Sequence, residues 1–345
     1  MDLLIMSRDT VVAEWENNNL KIIDKALVPI YLKRTGNVEE WLESRAIDSH
    51  RANSRLLKKA LRLTEEDDIG TVISVNAVCI TDTYWVKPLA GTLKYEDVRF
   101  DNDYFANLAL KGTYDSFNRA ADNKSGKTPE LTNTGSFEKC WKLIGGEWWM
   151  YKKANHNEQF SELFIYEFGH ALGMNTAEYK KGDKCVKTKD FTENASINFE
   201  PAYSFMNDIE DYIQTLNVLR EQWPELIPDY VKMIFLDTLV ANPDRHTFNY
   251  GILRDVQSGK VIGFAPNFDN NMALISRGYP RNTERKNDLL VKLFNGLTDY
   301  APSLKKYLPK VNEDIIRDVL VKINMKVKSQ VIVDFIMNAY KRILI

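Results

Sequence analysis

The sequence predicts an α+β fold in which a β-rich segment feeds a mainly helical one. Three observations predict it. Residues 139–144 and 147–152 are strand-like and flank Gly145-Gly146, a strong hairpin signal. A helix is predicted over 158–172, because Phe164, Phe168, Ala171 and Leu172 fall at i, i+4, i+7 and i+8, with Gly173 placed to cap it. Beyond Phe199 the pattern is mainly helical, broken by a strand-like pair at 250–253 and 261–265.

Ahead of the hairpin, residues 1–125 read as a mixed α/β accessory region, ending in the polar, turn-rich stretch 122–129. A second polar stretch, 180–198, is expected to be loop-rich. In the accessory region Arg51, Arg55, Lys58, Lys59 and Arg62 recur at helical spacing among Leu56, Leu57, Ala60, Leu61 and Leu63. The expectation is an amphipathic helix whose basic stripe is a solvated face, partly neutralised by Glu65, Glu66, Asp67 and Asp68. Residues 71–80 read as a buried strand, followed by Tyr84-Trp85. No repeat of solenoid or propeller period is present.

Bulk properties exclude several classes. The 345 residues are 44% hydrophobic, enough for a sizeable core. With 46 basic and 48 acidic side chains the net charge is −2, which gives no global electrostatic case for nucleic acid or an acidic membrane. Cys79, Cys140 and Cys185 are widely spaced and lie in no zinc-ligand pattern, so reduced thiols are expected. The first apolar run is too short for a signal peptide, and no transmembrane span is expected. These features together predict a cytoplasmic protein.

The chemistry concentrates in Asn242-Pro243-Asp244-Arg245-His246-Thr247-Phe248-Asn249, after an apolar helix (Val231, Ile234, Phe235, Thr238, Leu239) and before a strand. Asp244 and Asn249 have the D-x-x-x-x-N spacing of a kinase catalytic loop. A carboxylate there orients the proton of an attacking hydroxyl, and the Asn offers a neutral oxygen to a hard cation. His246 is expected to brace the loop by hydrogen bonding. Twenty residues on, Phe268-Asp269 leaves the second strand of a hairpin turning at Gln257-Ser258-Gly259, which places Asp269 as a second metal ligand. Asn270 and Asn271 follow it, so the Asp-Phe-Gly triplet of many kinases is absent. Upstream, Lys152 ends a strand and Glu162 lies ten residues later on the predicted helix, the pairing that steadies a lysine on α- and β-phosphates. Glu158 is the reserve partner, and Lys153 points to the opposite side of the strand. Residues 132–139 read as a loop over the phosphates.

These residues resemble the HipA-like serine/threonine kinases, a branch of the protein-kinase-like fold. The resemblance runs from about Leu131 to Leu274 and rests on Thr134-Gly135-Ser136-Phe137-Glu138-Lys139, Met150-Tyr151-Lys152, Ser161-Glu162-Leu163 with Ala171-Leu172-Gly173, and above all Asp244-Arg245-His246-x-x-Asn249-Tyr250-Gly251-Ile252-Leu253 followed by Phe268-Asp269. It implies a bilobal fold, with a small β-rich lobe over about 126–190 and a larger helical lobe over about 191–345. It implies ATP and Mg²⁺ as cofactors, nucleotide contacts from Lys152, Glu162, Gly135, Ser136, Lys139 and Lys189, and adenine against a hinge near 186–191. It also implies a protein acceptor, the chain itself among the candidates, with Thr132, Thr134 and Ser136 as autophosphorylation positions. Residues 1–125 match the family's toxin members poorly, although segments 41–45 and 81–88 are similar to leaders of some HipA-like proteins; a DNA-binding antitoxin partner therefore gains no support. Two other readings stay open, a small-molecule or lipid phosphotransferase on the same fold and a non-catalytic pseudokinase.

Overall fold

The first four strands build an antiparallel sheet in the order β3-β2-β1-β4, from β1 (Leu3–Ser7), mostly buried, β2 (Thr10–Glu16), β3 (Asn19–Ile22), where burial alternates at the edge, and β4 (Tyr84–Pro88). Ile5 pairs with Ala13 on one side and Val86 on the other, and the β1–β2 register slips between Ile5 and Met6. The computed structural model describes residues 2–64, 66–122, 126–278 and 287–343. They form two units. The first comprises Met1–Lys153, Lys187–Glu200 and Leu253–Ile262; the second comprises Ala154–Val186, Pro201–Ile252 and Gly263–Ile345.

In the first unit the expected hairpin forms. Strand β5 (Lys139–Ile144) pairs with β6 (Glu147–Lys153), with Lys139 opposite Lys152 and Ile144 opposite Glu147. Gly145 and Gly146 have φ of +62° and +84°, the left-handed values that a two-residue hairpin loop of this kind requires. Trp141, Trp148 and Leu131 share one buried core with Met6, Leu57, Trp85, Phe105 and Leu108. The boundaries expected at 126 and 191 therefore both lie inside this unit, since the hairpin and the N-terminal region bury the same apolar surface.

Segments 41–45 and 81–88 meet in space. Arg45 forks onto both oxygens of Asp82 at 3.0 and 2.9 Å and also donates to the Ala77 carbonyl, while its guanidinium lies 5.0 Å from the Trp41 ring. Two expectations for this region fail. The stretch 71–80 is no strand: a helix, Asp68–Ile73, starts there because the Asp67 side chain caps the Gly70 N–H, and Asn76 and Ala77 then turn the chain with φ of 56° and 57°. The basic stripe is also broken. The helix is only Ser54–Ala60, and Arg51 precedes it with 1% exposure, facing Glu130 rather than water. Glu65 and residues 123–125, which the sequence places in an acidic cluster and a linker, lie outside the described residues.

Strand β7 (Tyr179–Lys181) in the second unit leads into β8 (Cys185–Lys189), which passes into the first. Strands β9 (Ile197–Pro201), β10 (Gly251–Asp255) and β11 (Val261–Phe264) form a sheet in the order β11-β10-β9. The β10–β11 turn is tied by Asp255, which accepts from the Ser258 N–H at 2.7 Å, and by Gly259 at φ +67°. A Cβ at Gly259 would stand 1.9 Å from the Ala26 carbonyl oxygen, so only glycine fits.

The second unit is otherwise helical. His156–Ala171 is longer than predicted by one turn's fraction at its start, because Asn155 and Glu158 form a capping box. That bond occupies Glu158, the reserve phosphate-site partner, at the helix N-terminus. Phe160, Phe164 and Phe168 stack successively at 5.4 Å, and Gly169 lets Thr176 and Leu236 approach the helix backbone. Ile227–Val240 is buried along nearly its whole length, with Phe235 against Phe294 and Tyr340 of two later helices. Among the described residues no helix is long and apolar enough to cross a membrane.

Candidate active site

Helix Ile227–Val240 carries one acidic residue near its end, Asp237, which is wholly buried. A buried carboxylate demands partners, and the residues just beyond supply them. Ala241 turns the chain with φ +52°; the Asn242 N–H returns to the Asp237 carbonyl and its Nδ2 to Asp237 Oδ1 at 3.0 Å. Arg245 then forks onto the same carboxylate, Nε to Oδ2 at 2.8 Å and Nη2 to Oδ1 at 2.9 Å. Burial by itself would lower the Arg245 pKa, but the Asp237 charge and hydrogen bonds outweigh it and hold the pKa above its ordinary value.

The free arm of that guanidinium organises the loop. Nη1 donates to the Asn249 carbonyl at 2.7 Å and to the Phe268 carbonyl at 2.6 Å, while Nη2 reaches Asn270 Oδ1 at 2.7 Å. One cation thereby ties Asn249 to the residue that precedes Asp269. Asn249 Nδ2 donates to the Asp244 carbonyl at 2.9 Å, which orients the amide with its oxygen turned away from that bond. The Asp244 N–H is held by Asn242 Oδ1 at 3.2 Å. His246 Nδ1 accepts from the Phe248 N–H at 3.3 Å, an intraloop brace that needs this nitrogen unprotonated. Tyr203 stacks on Phe248 at 4.5 Å and its N–H holds the Thr247 carbonyl.

Asp269 adopts φ +58°, a left-handed conformation that a non-glycine residue takes only where its surroundings fix it. Its N–H donates to the Tyr179 hydroxyl at 3.0 Å, and the next N–H, of Asn270, donates to Glu162 Oε2 at 2.8 Å. Burial first, then the charges of Glu162 and Asp269, push the Tyr179 pKa far up, so it stays a neutral phenol. Ser161 Oγ donates to the Ala273 carbonyl at 2.6 Å. Glu162 and Ser161 of the first long helix, Asp237 of the second and the 242–249 loop thus converge on 267–273. Asp244 and Asp269 are half-buried; Asn249, Asn270 and Asn271 are buried. The Asn271 amide makes no hydrogen bond through either atom to the described residues.

In the first unit, Lys152 and Lys139 stand directly opposite on adjoining strands and so share a face. Lys152 Nζ lies 4.9 Å from the Phe137 ring centroid. Gly135, at φ +97°, passes so close to Lys139 that a Cβ would meet its Nζ at 2.6 Å. Lys153, on the other face, pairs with Glu138 at 3.7 Å, and Lys189 pairs with Glu147 at 2.7 Å in an exposed ion pair. The three hydroxyls of the loop differ. Thr132 is buried in the short helix Pro129–Thr132 and donates to the Val78 carbonyl at 2.6 Å, Thr134 is half-buried and Ser136 is exposed.

Sequence reasoning quoted Arg245, Asn242 and Asn270 without giving them work, and missed Asp237 and Tyr179. A signal for the pair of Asp237 and Arg245 existed: a lone Asp inside Ile234-Phe235-Leu236-Asp237-Thr238-Leu239 has to be buried and therefore paired.

The chain has a HipA-like, kinase-like fold. It superposes on HipA from the Shewanella oneidensis MR-1 toxin–antitoxin complex of HipA, HipB and operator DNA over 99% of both chains, with a TM-score of 0.54 and 11% sequence identity. It is also similar to the Helicobacter pylori proinflammatory kinase CtkA over 59% of this chain and 89% of that one, at TM-score 0.41 and 19% identity. No protein-family model matches the sequence, and no curated protein does.

Proposed function

We propose that this chain is an ATP- and Mg²⁺-dependent protein kinase that transfers the γ-phosphate to a serine or threonine hydroxyl. The observation that carries the reading is the shared hold of Arg245 on the Asn249 and Phe268 carbonyls. It fixes the backbones that bear the two oxygen ligands a phosphate-bound cation needs.

The donor set suits such a cation. Asn249 offers an amide oxygen and Asp269 a carboxylate, both hard ligands. Among the described residues no three His, Cys, Asp or Glu side chains gather as a metal site, and Asn249 and Asp269 would be the chain's own ligands to a phosphate-bound cation. Mg-ATP, when bound, supplies the phosphoryl group and neutralises its charge. The chain's own residues do the positioning. Asp244 accepts the hydrogen bond of the acceptor hydroxyl and aligns it. Glu162 holds the Asn270 N–H, and Tyr179 the Asp269 N–H, so that the carboxylate keeps its direction. Lys152 and Lys139, with the backbone of Gly135 and Ser136, present positive charge to the non-transferred phosphates. Residues 126–190 and 191–345 serve as the small-lobe and helical-lobe segments of this reading, with Lys189 in the hinge strand. For self-modification Ser136 is favoured over Thr132, because its hydroxyl is already exposed.

The test is incubation with γ-labelled ATP and Mg²⁺ beside Asp244→Ala, with mass spectrometry of residues 128–140. Phosphate on Ser136, Thr134 or Thr132 in the wild type alone is the expected result. ATP binding without any protein label would replace this reading with a small-molecule acceptor, and no ATP binding at all would leave a pseudokinase.

A further inference from the structure

Residues 1–125 have no counterpart in the chemistry described so far, yet one of their side chains reaches the loop over 132–139. Arg51 is 1% exposed. Its Nη1 donates to the Asn133 carbonyl at 3.0 Å and its Nη2 to the Lys139 carbonyl, the two ends of that loop. Glu130, also 1% exposed, faces the guanidinium at 3.7 Å. Glu130 holds residues at or next to the same ends: Oε1 accepts from the Trp141 N–H at 2.8 Å and Oε2 from Asn133 Nδ2 at 3.3 Å. Four bonds from one ion pair thus bracket residues 133–141, while Gly135 and Ser136 at the tip stay exposed.

We propose that Arg51 is a positioning residue: it clamps both ends of the 133–139 loop, so that the N-terminal region sets the shape of the phosphate grip. This rests on reading that loop as the phosphate loop. A purely stabilising role explains the pair poorly. A buried ion pair rarely outperforms apolar residues of the same size, and Arg51 Nε has no hydrogen-bond partner in the described residues. What the guanidinium does achieve is geometric, since its planar fork fixes two carbonyls at once. A pinned base with an open tip keeps the loop amides aligned where an anion would bind, and Lys139 begins its strand directly from a clamped carbonyl.

The experiment compares wild type with Arg51→Met/Glu130→Gln, a double replacement that leaves no buried charge alone and so preserves folding. Arg51→Lys is the second variant; it keeps the charge facing Glu130 but loses the fork. Hydrogen exchange of the amides at 134–138 is read against those of the helix Ser54–Ala60, together with kcat and KM for ATP. Losing two charge-assisted bonds predicts exchange at 134–138 faster by about tenfold or more, with the helix amides unchanged. KM for ATP is expected to rise by about tenfold while kcat moves much less. Wild-type exchange at 134–138 in both variants overturns the clamp, even where ATP turnover is intact. Faster exchange in a protein whose wild type binds no ATP sustains the clamp and overturns only the kinase reading.

Discussion

Two buried arginines organise the two units, and they are treated in opposite ways. Arg245 meets Asp237 in a close fork at 2.8 and 2.9 Å and spends its remaining donors on carbonyl and amide oxygens. Arg51 faces Glu130 at 3.7 Å and leaves Nε without a partner among the described residues. The ionisation follows the geometry. Asp237 holds Arg245 above its ordinary pKa, whereas burial lowers that of Arg51 and pushes Glu130 up to about 7. Burial is the largest cause in all three; only around Arg245 do charge and hydrogen bonds overcome it. A fully satisfied centre is rigid, and an under-satisfied one holds its loop with fewer ties. The rigid centre lies under the 242–249 loop, and the more sparsely tied one under the 133–139 loop.

The sharpest way to break this contrast is Asp237→Asn. The shape survives, but Arg245 loses its directly paired counter-ion in a buried site and keeps only the more distant charges of Asp269 and Glu162, a change expected to cost about 3–5 kcal/mol. Denaturant unfolding measures it. A loss below about 1 kcal/mol would mean that the carbonyls alone satisfy Arg245, and the contrast with Arg51 would collapse.

The Glu130 centre predicts a pH effect with a definite sign. Its folded pKa of about 7 exceeds the ordinary 4.5, so between these values the folded chain binds more protons than the unfolded one. Stability therefore falls as pH rises from about 4.5 to 7 and levels off above that, by a total on the order of 3 kcal/mol from this group. Glu130→Gln should flatten this window, gaining on wild type at pH 8 and not at pH 4.5. Parallel stability–pH curves for the two proteins would show that Glu130 is fully paired, like its counterpart Asp237.

How far each centre was legible in the sequence follows from distance along the chain. The hairpin about Gly145-Gly146, the helix before Gly173 and the Asp244–Asn249 spacing are local, and periodicity and turn chemistry reveal them. Arg245 and Asp237 are eight residues apart, close enough for an apolar helix interrupted by one Asp to have exposed the pair. Arg51 bonds to residues 82 and 88 positions away, and no local rule reports such a contact. Local reasoning instead assigned it to a solvated stripe, because its spacing from Arg55 and Lys58 suited a helix that starts only at Ser54. The misread strand at 71–80 has a related cause. Apolar runs of that length suit either state, and the cap at Asp67 decided between them. Glu162 shows the same limit within the site: its place on the helix was predictable, but its bond to the Asn270 N–H depends on a left-handed residue at 269 that no pattern announces.

The smallest expected effect tests how the rigid centre reaches Asp269. Tyr179→Phe removes the acceptor of the Asp269 N–H and leaves ring packing in place. Loss of one such bond is expected to cost about 1 kcal/mol, read as a lower denaturant midpoint at an unchanged slope. If Arg245, through the Phe268 carbonyl, and Glu162, through the Asn270 N–H, suffice to hold the left-handed turn, then the proposed phosphoryl transfer changes little beyond that loss. A fall in kcat of tenfold or more, equivalent to about 1.4 kcal/mol in the transition state alone, would instead show that the turn at Asp269 is held as much by Tyr179 as by the arginine. The hold on the Asp269 turn would then be a property of both contacts, and the contrast with the 133–139 loop would rest on the number of ties rather than on the quality of one.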